Sequence, residues 1–153
     1  MGAAVLLSLS LARPFKEFHD TGPDSWLTQY PAPNIYDLAV RGTCVPACIL
    51  EAIAKVESDE IDSAIGDDGR SLGRMQINED FRELRIAAYG EYDPHNPYDA
   101  TRIAAMILQD HYNEFRSWPY AVSAYNQGAG ATRKKGLRLD YLSKVERKLG
   151  WKL

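Results

Sequence analysis

Apolar residues recur at helical spacing along most of the chain from residue 35 onward. The clearest case is 46–58. Ile49, Ile53 and Val56 form one stripe, flanked by Leu50 and Ala54, while Glu51 and Lys55 make an i,i+4 pair on the opposite face. Pro46 suits the first turn of that helix, where a missing N–H costs nothing. A short helix is expected over 35–40. Another is expected over 79–89, begun by Asn78 as N-cap and stopped by Gly90. The longest, about 98–116, turns Ile103, Met106 and Ile107 inward. Ser117-Trp118-Pro119 opens a further helix that runs through 121–126 and ends at Gly128. The last spans about 140–149, with Gly150 just past its end. Two stretches break the pattern. Residues 21–34 are rich in Pro, Gly, Asp and Ser, and 62–76 form a Gly-rich loop with room for a small hairpin. The pattern predicts a mostly α domain with one small loop or hairpin insertion.

Composition narrows the class. A chain of 153 residues, 45% hydrophobic and 25% charged, is one ordinary globular domain rather than a disordered, collagen-like or coiled-coil molecule. The division expected is an N-terminal extension over 1–43 and a folded domain over 44–153. The formal charge is −3, but residues 131–153 carry +6 and the remainder −9. A basic end could meet a polyanion, yet no nucleic-acid motif accompanies it. No nucleic-acid partner is expected, and the chain is expected to be a monomer. Cys44 and Cys48 are neither a disulfide framework nor a zinc pair; a local disulfide and two free buried thiols are the readings open to them. No apolar run reaches the roughly 20 residues of a membrane span. Residues 3–12 (AAVLLSLSLA) have the length of a signal-peptide core, but no Lys or Arg precedes them. A trimmed export signal and a first helix are the alternatives there.

One residue interrupts the best stripe. Positions 49, 53 and 57 lie four apart, and position 57 is Glu. A carboxyl at the end of a buried stripe loses water, which favours its neutral form, and a protonated carboxyl near neutral pH is what a general acid needs. The structural alternative is a capping or salt-bridged Glu. Asp67 and Asp68 supply a second carboxylate in the loop, and two carboxyls across a cleft are the minimum for glycoside hydrolysis. Gly-Asp-Asp-Gly is also ordinary turn chemistry. His19, His95 and His111 have no zinc-like spacing, and neither metal nor cofactor is expected.

Three motifs, taken in order, carry a family resemblance. Glu57-Ser58, Gly73-Arg74-Met75-Gln76 and Ala124-Tyr125-Asn126-Gln127-Gly128 resemble those of soluble-type lytic transglycosylases and goose-type lysozymes. The segment from Tyr141 to Val145 is similar to their C-terminal Tyr-bearing helix. The resemblance covers about residues 44–146. It implies an α+β lysozyme-like fold with the hairpin beside a groove for a peptidoglycan strand, and cleavage between N-acetylmuramic acid and N-acetylglucosamine. It implies that Glu57 protonates the glycosidic oxygen and that Gly73 lets the backbone approach the sugar. Ser58 belongs to the same site, and Met75 and Gln76 line the cleft. Tyr125 and Asn126 stand opposite, the Tyr125 phenol near the Glu57 carboxyl or the sugar. Tyr141 joins them or is a buried aromatic at a helix end. Arg74 stands where the family commonly has Leu, so it charges one wall of the groove or points to solvent.

The two branches of the family differ in the attacking group. Transglycosylases need one Glu, and the muramic 6-hydroxyl closes an anhydro ring. Goose-type lysozymes hold a water with Asp residues. Gly66-Asp67-Asp68-Gly69-Arg70-Ser71-Leu72-Gly73 is similar to the goose-type loop, which makes Asp67 one water-holding acid; the second would fall at 78, where this chain has Asn78. Asn cannot take a proton from water. The lyase reading is therefore preferred, with the Glu57–Asp67 hydrolase and a non-catalytic glycan-binding domain as alternatives. The substrate implies a periplasmic or secreted location.

Overall fold

The structure, a computed structural model, describes residues 33–153. The possible export segment and most of the irregular stretch over 21–34 lie outside the described residues. Seven helices and a small sheet follow one another: α1 (Ile35–Ala39), α2 (Ala47–Glu57), β1 (Ile65–Gly66), β2 (Ser71–Leu72), β3 (Ile77–Asn78), α3 (Arg82–Tyr89), α4 (Pro97–Phe115), α5 (Trp118–Gln127), α6 (Ala129–Lys135) and α7 (Leu139–Leu149). This is the α-rich, lysozyme-like architecture that the sequence predicts.

Local side chains and backbone conformations set the helix ends. Asn96 caps α4 by accepting from the Tyr98 and Asp99 amides at 3.0 and 3.1 Å, and Pro97 fills the first turn. Asn78 accepts from the Asp80 amide at 2.8 Å, but the segment after it begins as a 3-10 turn over Glu79–Phe81 before α3. Gly150 ends α7 in the left-handed conformation. Helix α6 has no counterpart in the periodicity, because seven residues between Gly128 and Gly136, with Gly130 inside, carry too little apolar pattern.

The core lies where α2 packs on α7 and α1, and α4 on α5 and α1. Ile49, Leu50 and Ile53 of α2, Ile103 and Leu108 of α4, Val122 of α5 and Val145 of α7 are wholly buried. Each contributes about 1.5–3 kcal/mol by leaving water. Tyr36 and Ala39 of α1 are buried in the same core, so residues 35–39, within the expected extension, pack with the folded body. Cys44 and Cys48 are free and exposed, not buried.

The sheet is a three-stranded antiparallel meander, β1-β2-β3, with Ile65 opposite Leu72 and Ser71 opposite Asn78. Its β1–β2 turn holds Asp67 and Asp68 at positive φ, which Asp tolerates better than most residues. Polar ties anchor the meander to the end of α2. Ser58 Oγ donates to the Arg74 carbonyl at 2.9 Å, and Arg74 Nε donates to Asp62 Oδ1 at 2.6 Å. Tyr36 donates its hydroxyl to Glu60 at 2.5 Å. The meander and the end of α2 are thus held as one unit, which places β-sheet residues beside Glu57.

Candidate active site

Glu57 is the last residue of α2. The register that buries Ile49 and Ile53 carries it to the end of the stripe, where it is half-buried. Beside it opens a cleft of about 270 Å³. Its far wall is the meander, through Gly66, Asp67, Ser71, Gln76, Ile77 and Asn78. The remaining lining comes from Arg85 of α3, Ile107 of α4, and Tyr125 and Asn126 of α5.

Burial pushes the Glu57 carboxyl up from its usual range, and the nearby Asp67 charge pushes the same way. Hydrogen bonding opposes this. The Tyr141 hydroxyl donates to Glu57 Oε1 at 2.5 Å, the Asn126 amide acts in the same sense, and the Lys144 charge helps. The net direction is upward, the setting of a group that is protonated before reaction and still stabilised when ionised. Asn126 Oδ1 is buried and has no partner among the described residues. A donor from a bound sugar would satisfy it.

The expected site residues separate into two groups. Glu57, Asp67, Gln76, Tyr125 and Asn126 line one cleft. Ser58, Gly73 and Met75 do not line it. Ser58 Oγ accepts from the Ile61 amide at 3.0 Å as well as tying Arg74, so its work is to close the turn after α2. The Met75 side chain is wholly buried in the core, not in the cleft. What Met75 offers is its carbonyl, which accepts from the Tyr125 hydroxyl at 2.9 Å. Gly73 is buried against the Pro94 carbonyl, not beside open space for a sugar.

The two tyrosine hydroxyls have different partners. Tyr125 donates to the Met75 carbonyl while lying within reach of the Glu57 charge, and Tyr141, buried at 4% exposure, donates to the carboxyl itself. Arg74 is absent from the cleft wall and is not aimed at solvent either; it lies between Asp62 and the Tyr36 hydroxyl. Arg85, unremarked in the sequence, lines the cleft.

Tyr141→Phe tests the carboxyl clamp. Losing a hydrogen bond to a charged group costs about 1.5–3 kcal/mol, so the rate of any Glu57-dependent reaction should fall about tenfold to a hundredfold. The Tyr141 bond lowers the Glu57 pKa, so its loss moves the alkaline limb of the pH–rate profile to higher pH. An unmoved limb would remove Tyr141 from the site.

The transglycosylase SLT domain family model matches residues 39–144. Among solved structures, the 70 kDa soluble lytic transglycosylase of Escherichia coli aligns with a TM-score of 0.58 at 20% identity, over 76% of this chain and 21% of that one. A complex of the 70-kDa soluble lytic transglycosylase with bulgecin A gives 0.58 at 20% identity, over 82% and 19%. An inactive Glu-to-Gln mutant of the lytic transglycosylase Slt from Pseudomonas aeruginosa gives 0.59 at 18% identity, over 86% and 24%. The chain spans about a fifth to a quarter of the length of these proteins, and at such identities the likeness is one of fold. No curated protein matches the sequence. The family match runs from the end of α1 into α7 and takes in the whole cleft, and by it this chain belongs to the transglycosylase SLT domain family.

Proposed function

We propose that the chain cleaves the β-1,4 bond between N-acetylmuramic acid and N-acetylglucosamine in peptidoglycan, as a lytic transglycosylase with Glu57 as its acid and base. The observation that carries this reading is the partly desolvated Glu57 carboxyl in a polar cleft, clamped by Tyr141. Family membership and the fold shared with soluble lytic transglycosylases support it. Protonated Glu57 gives its proton to the glycosidic oxygen as the C1–O bond breaks. The carboxylate left behind, stabilised by Tyr141 and Asn126, then takes the proton of the muramic 6-hydroxyl. That oxygen bonds to C1 and closes the 1,6-anhydro ring, with no water consumed and Glu57 protonated again. Such a substrate sits outside the cytoplasmic membrane, which makes the periplasm or the exterior the place of action. Among the described residues, no helix is long and apolar enough to cross a membrane.

A hydrolase is the second reading, because Asp67 lines the same cleft. Two contacts favour the lyase. Asp67 Oδ2 already accepts from Ser71 Oγ at 2.5 Å, and Asn78 spends its side-chain oxygen on the Asp80 amide. What Asn78 has left for the cleft is an NH2 donor, which cannot take a proton from water.

Digestion of purified peptidoglycan in heavy-oxygen water, read by mass spectrometry, separates the readings. Anhydro products, one water lighter than hydrolysis products and free of the label, support the lyase; labelled reducing ends support the hydrolase. Release of neither, where a known muramidase acts, leaves a glycan-binding domain. Asp67→Asn sharpens the comparison, since Asn also tolerates the left-handed backbone found there. The lyase should keep its rate to within a few-fold. Removing the Asp67 charge takes away one upward push on Glu57, so the alkaline limb of the profile should move to lower pH. A hydrolase should lose about a hundredfold or more, as expected when the group that activates water is removed.

A further inference from the structure

Arg85 is the one Lys or Arg among the described residues that lines the cleft. It stands on the first turn of α3, half-buried, and its Nη1 donates to the Asn78 carbonyl. Its guanidinium carbon lies 5.9 Å from the centre of the exposed Phe81 ring, and the group also neighbours the Tyr92 hydroxyl. Three other partly buried arginines have carboxylates: Arg74 has Asp62, Arg82 has Glu79 and Arg102 has Asp99. Arg85 has none within salt-bridge distance among the described residues. Glu79, close in sequence, is already held by Arg82 at 2.8 Å and by the Tyr92 hydroxyl at 3.0 Å. A half-desolvated guanidinium with one carbonyl acceptor keeps most of its charge and much of its donor fork unused. The planar fork suits a carboxylate, which it can hold bidentately.

We propose that Arg85 forms a carboxylate-binding subsite of the cleft, specific for the acidic groups of a muramyl strand. The proposal rests on the peptidoglycan reading above. Muramic acid freed of peptide carries its own lactyl carboxylate. Where a stem peptide is attached, that carboxyl is an amide and the carboxylates belong to the peptide. N-acetylglucosamine has neither. The cleft's other charged groups, Glu57 and Asp67, are acids, so a substrate carboxylate is drawn toward Arg85 and away from them. Strand register is set by that polarity.

The test uses the full chain in a Glu57→Gln background, so that ligands are bound and not consumed. Three tetrasaccharides are titrated by calorimetry: muramyl with stem peptide, muramyl without it, and all N-acetylglucosamine. Arg85→Gln should lower the affinity for an acidic tetrasaccharide, relative to the neutral one, by about tenfold or more, and Arg85→Lys should recover part of the difference. A loss confined to the peptide-free ligand assigns the lactyl carboxylate; a loss confined to the peptide-bearing ligand assigns the stem. Equal loss on all three ligands makes Arg85 a structural residue held by Asn78 and overturns the proposal, as does no loss on any. Should Arg85→Gln not fold, salt decides with the arginine in place: affinity for the acidic ligands must fall with ionic strength more steeply than for the neutral one. Parallel slopes would end the idea. Failure of the enzyme reading shows separately, as an intact chain that digests no peptidoglycan. Digestion with no Arg85 effect sinks the subsite alone.

Discussion

Glu57→Gln is expected to reduce peptidoglycan cleavage by about a thousandfold or more while leaving the protein as stable as its parent, or more so. The substitution keeps the shape of the side chain and an oxygen able to accept from Tyr141, and removes only the transferable proton. Stability follows from the direction of the Glu57 shift. The folded state raises the Glu57 pKa above its ordinary 4.5, so it holds the proton more tightly than the unfolded chain does. Any stability gained from this is complete below about pH 4.5 and is lost as pH rises through the folded value. Above pH 4.5 the parent therefore bears the cost of its partly buried carboxyl, either ionised in place or made to take up a proton on folding, and the variant does not. Thermal unfolding should place the variant level with or above the parent at pH 7, with the parent gaining ground as the pH is lowered. Substantial activity in a folded Glu57→Gln protein would remove Glu57 from the acid's role.

The legibility of Glu57 in the sequence has a physical reason. A 3.6-residue period fixes which residues share a helix face, so Glu57 falls on the stripe of Ile49 and Ile53 before any fold is known. Helix ends at Asn78 and Gly150 are equally local, since each depends on one side chain or one backbone conformation. Partnerships across the fold are not local. Tyr141 donates to a carboxyl 84 positions earlier, whereas Tyr125, inside a motif, donates to a backbone carbonyl. Both read as aromatics near helix ends, and nothing in spacing says which hydroxyl reaches Glu57. Met75 shares a motif with Gln76, but both lie in the turn between β2 and β3, where Gln76 has a left-handed φ of +46°, and the turn sends Met75 to the core and Gln76 to the cleft. Arg85 hid for a related reason. In Arg-Glu-Leu-Arg a cation reads as part of a solvated face, and only the docking of α3 beside the meander gives it a cleft to line.

The meander is also where the fold should be most sensitive to one added methyl group. Gly73→Ala meets two obstacles at once. The residue has φ +72°, a conformation that costs a non-glycine residue about 1–3 kcal/mol. An added Cβ would lie 1.8 Å from the Pro94 carbonyl oxygen, and that neighbour is backbone, which cannot swing aside as a side-chain tip would. Gly150→Ala separates the two effects, because Gly150 has φ +80° in the left-handed helical region and nothing lies within 4 Å of the new Cβ. Gly150→Ala should cost about 1 kcal/mol from conformation alone. Gly73→Ala should cost about 3 kcal/mol or more, in the range of severe single substitutions. Thermal unfolding should therefore fall by roughly 10 °C for Gly73→Ala and by a few degrees for Gly150→Ala. Activity should discriminate further. Gly73 lies between β2 and β3, and shifting it moves Gln76 and Asn78 on the cleft wall. Cleavage measured well below the unfolding temperature should then remain impaired for Gly73→Ala and normal for Gly150→Ala. Equal losses of stability in the two variants would mean that the backbone conformation, and not the approach of Pro94, is what demands glycine at position 73.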